Sequence, residues 1–294
     1  MRIVIAGCGY LGRVLGLGYL KEGHAVLGLR RDPSAVEALR AEGMHAASAD
    51  LLDPGTYPVG AIGADVAVLC QAPSRRSDGY GVTYAAACES FGRWAVSHEV
   101  RRIVFVSSTS VYGDLGGEWI DEAVDPLASG KHSAEARAKA EDLLRAERSI
   151  LGSGVSACVV RSAGIYGPGR NRIAAVRGAQ VPAATKGESY TNRIHVEDLA
   201  AAVRVVADKG VPGEVYIASD GSPSTQGDFY DWLFGRLGVR RLFDGCLYTD
   251  DQTVRPVRGE ANKRCRNAKL RALGWTPRYP SYKEGYEHLI TQGE

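Results

Sequence analysis

Three titratable residues lie close together in the segment KHSAEARAKAEDLL, residues 131–144. His132, Glu135 and Lys139 have the spacing that places side chains on one face of a helix or at its entry. Ser133 is a favourable N-cap residue, and the run that follows it is rich in strong helix formers. An imidazole, a carboxylate and an ammonium group on one face could act as acid, base and cofactor ligand. They could equally form a solvated surface stripe.

A glycine-rich turn near the first residue indicates a phosphate-binding loop. An apolar run leads into GCGYLG, in which Gly7, Gly9 and Gly12 form the pattern G-x-G-x-x-G. Between a strand and a helix, such glycines permit a tight turn, close approach of the backbone to a pyrophosphate and close helix packing. The helix N-terminus then offers N–H groups to the phosphates. We expect the intervening Tyr10 and Leu11 to contact the cofactor as well.

The end of the second predicted strand indicates which dinucleotide binds. An acidic residue about 20 positions after the glycines would accept a hydrogen bond from the ribose 2′-hydroxyl of NAD. This chain has Arg30 and Arg31 there, and a guanidinium group suits a 2′-phosphate. Asp32 comes just before a proline and is better explained as a helix N-cap. We therefore predict NADP, with Asp50 and Leu51 placed to meet its adenine.

The elements that must position these residues alternate between strand and helix. Apolar, β-branched runs are found at Arg2–Gly7, Ala25–Arg30, Ala64–Ala72, Arg102–Ser108 and Ser156–Gly164. Helical stretches between them cover about Leu11–Glu22, Pro33–Glu42, Tyr80–Ser97 and Ser133–Leu151. This alternation predicts an α/β fold of the Rossmann type, with a doubly wound parallel sheet covered by helices on both faces. Ala72, at a strand end, is expected beside the cofactor.

After Gly167 the pattern is broken into short pieces by prolines and glycines. We expect residues 1–167 to form the NADP-binding Rossmann domain, with later sheet elements from about 188–220 added to it. Residues 168–294 would then form mainly a smaller C-terminal lobe that binds the substrate.

The overall composition argues against several classes of protein. A net charge of +2 gives no electrostatic reason to expect nucleic acid or an anionic membrane as the partner. The six cysteines are scattered, without a C-x-x-C pair or metal-ligand spacing, at Cys8, Cys70, Cys88, Cys158, Cys246 and Cys265. We expect reduced, mostly buried thiols and no metal. Without a signal peptide or a long apolar stretch, the chain is predicted to be a cytoplasmic protein.

Further motifs give the chain a specific resemblance. The predicted strand ending in SSTSVYG places hydroxyl groups at the carboxyl edge of the sheet, where α/β proteins bind ligands. Together with AKAEDLL, VVRSAGIYGPG, NRIHVEDLAAA and LGWTPRYPSYKEG, this segment resembles an extended short-chain dehydrogenase/reductase of the NAD(P)-dependent epimerase/dehydratase type. The resemblance covers nearly the whole chain. It implies a nicotinamide cofactor, a small-molecule substrate and a possible homodimer that pairs through the helices Tyr80–Ser97 and Ser133–Leu151.

The resemblance also implies roles for individual residues. Ser108 corresponds to the strand-end serine of the family, and Lys139 to the lysine that holds the nicotinamide ribose. Substrate contacts are implied at Thr109, Ser110, Tyr112 and Arg193. Ser162 and Gly164 are implied to border the nicotinamide.

This chain departs from the family at the catalytic helix. The family has the pair Tyr-x-x-x-Lys, whereas the residue four before Lys139 is Glu135. The glycine pattern also differs, since extended members usually carry G-x-x-G-x-x-G. Both departures point to the atypical, YeeZ-like branch that lacks the catalytic tyrosine.

Two functions remain open at this point. The first is an enzyme that moves hydride between NADP(H) and a polar carbonyl or hydroxyl substrate, with Ser108 bonded to the substrate oxygen. His132 could shuttle the proton, and Glu135 could do so if burial raised its pKa; alternatively, Ser108 or Thr109 relays a solvent proton. The second is a non-catalytic NADP(H)-binding redox sensor. The retained Ser108 and Lys139 favour the enzyme.

A basic run late in the chain favours an anionic substrate. Seven basic residues and one acid, Glu260, lie between Arg255 and Arg271. A basic run is usually solvated surface. In extended family members this region closes over the substrate, so the resemblance implies anion ligands among Arg193, Asn262, Lys263 and Arg264.

Overall fold

The computed structural model describes residues 1–58, 63–71, 82–178, 189–239 and 262–294, in which strands and helices alternate. The strands are β1 (Arg2–Ala6), β2 (Ala25–Arg30), β3 (His45–Ser48), β4 (Val66–Leu69), β5 (Arg102–Ser108), β6 (Trp119–Ile120), β7 (Ser156–Ser162), β8 (Gly164–Tyr166), β9 (Tyr190–Thr191), β10 (Arg193–His195), β11 (Val215–Ala218), β12 (Ser224–Thr225) and β13 (Arg264–Cys265). The helices are α1 (Tyr10–Lys21), α2 (Pro33–Ala41), α3 (Val82–Ser97), α4 (Ala134–Leu151), α5 (Ile173–Arg177), α6 (Val196–Lys209), α7 (Gln226–Leu237), α8 (Ala268–Ala272) and α9 (Tyr282–Thr291).

Seven of these strands form one parallel sheet in the order β11-β7-β5-β4-β1-β2-β3. The chain winds outward from β1 in both directions, which is the doubly wound arrangement predicted from the sequence. The fold class is therefore confirmed. The strand order reverses between β1 and β4, and ligands of such sheets bind in the crevice at this switch point.

Both faces of the sheet are covered because its strands are apolar on both sides. Along β1, Ile3 and Ile5 pack with α1, α2 and α6, whereas Val4 and Ala6 pack with α3 and α4. This division follows from the alternation of side chains along a strand. Full burial of each large apolar side chain stabilises the fold by about 1.5–3 kcal/mol, so the two helical layers hold the strand ends at fixed positions.

Helix starts follow the caps expected from the sequence. The Asp32 carboxylate accepts a hydrogen bond from the Ser34 N–H at 3.0 Å, which confirms its N-cap role in α2. The Ser133 hydroxyl caps α4 by accepting from the Ala136 N–H at 3.3 Å. The fourth strand is shorter than the run predicted for it, and Ala72 lies outside the described residues.

The later part of the chain contributes both to the sheet and to a separate apolar cluster. Strand β11 joins the sheet beside β7. Helices α7 and α9 pack with Tyr166 in a cluster that includes Phe229, Leu233 and Tyr286. The two-residue strand β13 pairs with β6, from the first half of the chain. The division of the chain at residue 167 remains a prediction.

The described residues add three observations about chemistry. Five cysteines are free thiols (Cys8, Cys70, Cys88, Cys158 and Cys265), and Cys246 lies outside the described part. Within that part, no cluster of three or more histidine, cysteine or acidic side chains is placed to hold a metal ion. None of its helices combines the length and apolar character needed to cross a membrane.

Candidate active site

The glycine-rich loop connects β1 to α1 at the carboxyl edge of the sheet. Gly7 has a φ of +80°, and a Cβ added there would lie 2.7 Å from the backbone nitrogen of Gln71 at the end of β4. A Cβ at Gly12 would lie 2.9 Å from Ile5 Cγ2, so α1 packs directly on β1. Gly9 is the N-cap of α1 and supplies no side-chain acceptor to the first turn. The N–H groups of that turn are therefore suited to bind an anion.

Arg30 lies next to this loop. A Cβ added to Gly9 would lie 2.6 Å from Arg30 Nη1, so the guanidinium group covers the second glycine. Arg30 ends β2 and is half-buried, whereas the neighbouring Arg31 is exposed. A groove of about 600 Å³ runs from Gly9 and Arg30 along α1 as far as Lys21. The structure thus places the Arg30 guanidinium group beside the glycine-rich loop.

The other predicted cofactor contacts are spread along the same edge. Asp50 follows β3, and its carboxylate accepts from the Leu52 N–H at 3.0 Å. Leu51 is half-buried against the cluster beneath α3. Leu11 is buried in the opposite cluster. The Tyr10 hydroxyl donates to the Pro168 carbonyl at 3.1 Å, so its side chain points to the segment after β8.

Ser108 lies at the end of β5, in register with Ser162 on β7, which is itself in register with Ala218 on β11. The Ser108 Oγ accepts from the Ser110 N–H at 3.1 Å, which leaves its own hydrogen available for a ligand. The Ser162 hydroxyl is buried and donates to the Ala163 carbonyl at 2.9 Å.

The short 3-10 turn Thr109–Val111 follows Ser108 and points the hydroxyl-bearing side chains of this segment in different directions. Thr109 is buried and Ser110 is exposed. Tyr112 is fully buried, and its hydroxyl accepts from Arg161 Nη1 at 2.7 Å and donates to the Asp121 carbonyl at 3.3 Å. With its hydroxyl already bonded on both sides, Tyr112 is poorly placed for the substrate contact that the resemblance implied.

The titratable residues of α4 lie mostly in solvent. The side chain of Glu135 is 80% exposed and pairs with Lys139, one turn further along the helix. The hydrogen bond and charge of Lys139 lower the pKa of Glu135. Glu135 was expected to act as a proton donor only if burial raised its pKa. The side chain is instead exposed and its pKa is lowered. His132 is half-buried, with Nε2 3.0 Å from the Pro126 carbonyl.

A buried ionic network holds α4 against the sheet. Arg161 on β7 donates to both carboxylate oxygens of Glu147 on α4, with the shortest contact 2.7 Å from Nη2 to Oε2. The Ser107 hydroxyl donates to the same carboxylate at 2.6 Å. Since α4 also packs against the turn after Ser108, this network fixes the helix that carries Lys139 relative to Ser108.

Arg193, on β10, lies against two aromatic rings. Its guanidinium carbon is 4.0 Å from the ring centre of Phe229 and 5.4 Å from that of Tyr282. Nη1 donates to Ser224 Oγ at 2.9 Å, and the side chain is partly exposed. Within the described residues, Ser224 is the hydrogen-bond partner of this guanidinium group, whose other donors are suited to an anion.

The other predicted anion ligands serve largely as structural contacts. The Asn262 side chain accepts from the Tyr190 N–H at 2.9 Å. Lys263 is buried and donates to the Tyr112 carbonyl at 2.8 Å, and burial lowers its pKa to about 8. Arg264 donates to the Gly117 carbonyl at 2.6 Å. Arg255, Arg258 and Glu260 lie outside the described residues.

Two buried residues near Arg193 were not predicted from the sequence. His195 caps α6 by accepting from the Glu197 N–H at 3.3 Å, and its Nε2 is buried without a hydrogen-bond partner in the described part. Burial lowers the pKa of His195 to about 4, so it is neutral at physiological pH. Asp220 follows β11 and also has a buried oxygen without a partner there. Both belong to segments, NRIHVEDL and YIASDG, whose polar residues interrupt apolar runs.

Comparisons with known proteins agree on one family. The model of the NAD-dependent epimerase/dehydratase family matches residues 3–218. Protein YeeZ of Escherichia coli K12 is 28% identical over 242 residues, which cover 81% of this chain and 84% of YeeZ. A 4-hydroxy-2-methyl-3-oxo-4-farnesyl-3,4-dihydroquinoline-1-oxide ketoreductase of Stigmatella aurantiaca is 27% identical and covers 81% of this chain and 73% of its own length. A conserved protein of unknown function from Silicibacter pomeroyi DSS superimposes with a TM-score of 0.79 at 27% identity, covering 100% of this chain and 99% of its own.

Proposed function

Because the chain belongs to the NAD-dependent epimerase/dehydratase family, we propose that it is an NADP(H)-dependent oxidoreductase for a small, polar, anionic substrate. The family, predicted from the sequence motifs, is confirmed by the match over residues 3–218. The observation that carries the proposal is the row of Ser108 and Ser162 at the same sheet edge as the glycine-rich loop. The similarity to a ketoreductase supports a carbonyl group as the reacting centre.

The residues at the switch point fit a dinucleotide. The uncapped first turn of α1 and the Arg30 guanidinium group over Gly9 together offer hydrogen-bond donors to phosphate groups. Arg30 and Arg31 would hold a 2′-phosphate, and Asp50 and Leu51 would border the adenine. When bound, the nicotinamide supplies or accepts a hydride. Ser162 and Gly164 would border its ring, and Lys139 would turn from Glu135 to the ribose.

Substrate binding and proton transfer are assigned to Ser108, Thr109 and Arg193. Its hydroxyl hydrogen is free to donate to a substrate oxygen, because its Oγ already accepts from the backbone. Arg193 would bind the anionic group of the substrate through guanidinium donors other than the Nη1 group bonded to Ser224. A proton moves to or from the substrate oxygen through Ser108 or Thr109 and solvent, rather than through Glu135.

The first prediction concerns the cofactor. We expect NADP(H) to bind at least about tenfold more tightly than NAD(H), because a charge-assisted hydrogen bond contributes about 1.5–3 kcal/mol. Arg30→Asp should weaken NADP binding far more than NAD binding. Calorimetric titration of both cofactors measures the preference, and Arg93→Gln, a change to an exposed α3 arginine paired with Glu89 and outside the groove that runs along α1, is the matched control. Equal dissociation constants in the unaltered protein would contradict the proposal.

The second prediction concerns the proton. We expect Glu135→Gln to leave kcat nearly unchanged, because Glu135 is exposed, ionised and paired with Lys139. The matched control is Glu141→Gln, which alters an exposed α4 carboxylate paired with Arg137. If Glu135 is the proton donor after all, its replacement alone will lower kcat by at least about tenfold, within the range typical of general acid–base groups. His132→Asn tests the other titratable group in the same assay.

A second candidate function is a redox sensor that binds NADP(H) without turnover. The residue four before Lys139 is Glu135, and the structure leaves it in solvent, which favours this alternative. Steady oxidation of NADPH with a panel of small carbonyl acids distinguishes the two, since a sensor binds the cofactor without consuming it. A homodimer formed through α3 and α4 remains a proposal for either function.

A further inference from the structure

Arg193 and Asp220 are adjacent at the border between the sheet and the later lobe, yet their side chains do not bond to each other. The Asp220 N–H donates to the Arg193 carbonyl at 2.8 Å, so the two backbones are joined. The Arg193 guanidinium donates instead to Ser224. The Asp220 Oδ1 accepts from the Ser222 N–H at 3.0 Å, and its Oδ2 has no partner in the described part of the chain.

The surroundings of Asp220 disfavour its negative charge. Its side chain is 2% exposed, and a buried carboxylate with an unsatisfied oxygen is costly in free energy. Burial raises the pKa of Asp220 to about 7, although the Ser222 N–H and Arg193 act in the opposite direction. The carboxyl group can therefore be either charged or neutral near physiological pH.

Charged and titratable groups from five elements face Asp220. They are Arg193 on β10, Asp198 on α6, Glu284 on α9 and Tyr166 on β8, and the buried thiol of Cys265 on β13 faces Asp220 as well. Asp198 is occupied by the N–H groups of Arg278 and Tyr279, at 2.6 and 3.0 Å. Glu284 is exposed and bonded to Ser281. Both neighbouring acids repel charge on Asp220, so Arg193 alone among these five groups favours it.

We propose that Asp220 is a positioning residue that controls the anion affinity of Arg193 by taking up and releasing a proton. This inference rests on the proposed function, in which Arg193 binds the anionic group of the substrate. An ionised Asp220 offsets the charge of the guanidinium group and repels an incoming carboxylate or phosphate. A protonated Asp220 does neither. Anion and proton therefore bind together.

The direction of the pH dependence follows from this coupling. As the pH rises through about 7, Asp220 loses its proton and Arg193 loses affinity for the anion. If only the protonated form binds, the apparent affinity falls about tenfold between about pH 6 and about pH 8, since it scales with the competent fraction.

The test uses sulfate as the anion, because its charge is constant over this pH range. The protein is saturated with NADP⁺, so that the cofactor covers Arg30 and Arg31 and sulfate does not bind there. Calorimetry at both pH values, in buffers with different ionisation enthalpies, gives the dissociation constant and the protons taken up. We expect about tenfold weaker sulfate binding at the higher pH, with proton uptake. Asp220→Asn should bind sulfate equally at both pH values, and Arg193→Gln should not bind it.

The control variant is Glu284→Gln, which removes the charge of the exposed acid near Asp220. This variant should retain the pH dependence of sulfate binding. Equal sulfate affinity at both pH values in the unaltered protein would overturn the inference, as would absence of sulfate binding at the lower pH or an unchanged pH dependence in Asp220→Asn. If Asp220→Asn does not fold, the number of protons that the unaltered protein takes up on binding sulfate tests the inference, and no uptake at the higher pH would overturn it. NADP⁺ binding is measured before sulfate is added, so a failure of the cofactor proposal is distinguished from a failure of the inference about Asp220.

Discussion

Replacement of Arg161 by methionine is expected to lower the free energy of unfolding by about 3–5 kcal/mol, the usual effect of removing one partner of a buried ion pair. Arg161 and Glu147 are both almost completely buried, and the guanidinium group donates to both carboxylate oxygens. Without Arg161, the carboxylate of Glu147 keeps one donor, Ser107. The hydroxyl of Tyr112 also loses its charged donor. Urea-induced unfolding measures the change.

The control for this prediction removes both charges. In the double variant Glu147→Leu with Arg161→Met, no buried charge is left uncompensated, so most of the lost stability should return. A double variant that is as unstable as Arg161→Met would show that volume and packing, rather than the uncompensated carboxylate, cause the loss. Arg145→Met, which alters an exposed α4 arginine paired with Asp142, should change stability by less than about 1 kcal/mol.

Ser108→Ala is expected to lower kcat by about 10²–10³-fold, the effect of removing one donor to a substrate oxygen that gains charge. The dissociation constant for NADPH should not change, because Ser108 faces the substrate in the proposed function. Lys139→Ala should instead weaken NADPH binding and abolish turnover as well. Cofactor titration and steady-state kinetics on the carbonyl substrate identified from the NADPH assay separate the two effects.

A matched variant shows whether the loss at Lys139 is specific. Arg137 lies on the same helix, is exposed to a similar extent and pairs with Glu141 as Lys139 pairs with Glu135. Arg137→Gln should therefore keep both cofactor affinity and rate. If Lys139→Ala behaves like Arg137→Gln, the ion pair on α4 is only a surface contact, and Lys139 does not hold the cofactor ribose.

The parts of the fold that could be predicted from the sequence depend on local patterns. Gly7 and Gly12 indicate a turn and a close helix because their neighbours are a strand and a helix, and the structure has both. Asp32 and Ser133 indicate helix starts through bonds to residues two or three further on. In such cases the cause and the consequence lie within a few residues of each other.

The parts that could not be predicted depend on partners far away in the sequence. Tyr112 comes four residues after Ser108 and was expected at the substrate, but after the 3-10 turn its side chain lies inward, against Arg161. An arginine in the apolar run CVVRS was a signal that some buried acid must pair with it, yet the sequence does not identify Glu147. The exposure of Glu135 was likewise unknown until the packing of α4 was known.

The pairing of Arg264–Cys265 with Trp119–Ile120 joins segments separated by about half of the chain. During synthesis, at about 5–20 residues per second, the strands through β7 leave the ribosome on the order of 5–20 s before Arg264. In that interval the nascent chain has its dinucleotide loop, but the contact of Lys263 with the Tyr112 carbonyl cannot yet exist. A ligand that binds the folded form stabilises it by mass action. Under the proposed function, a bound dinucleotide therefore stabilises the first folded part of the emerging chain before β13 pairs with β6.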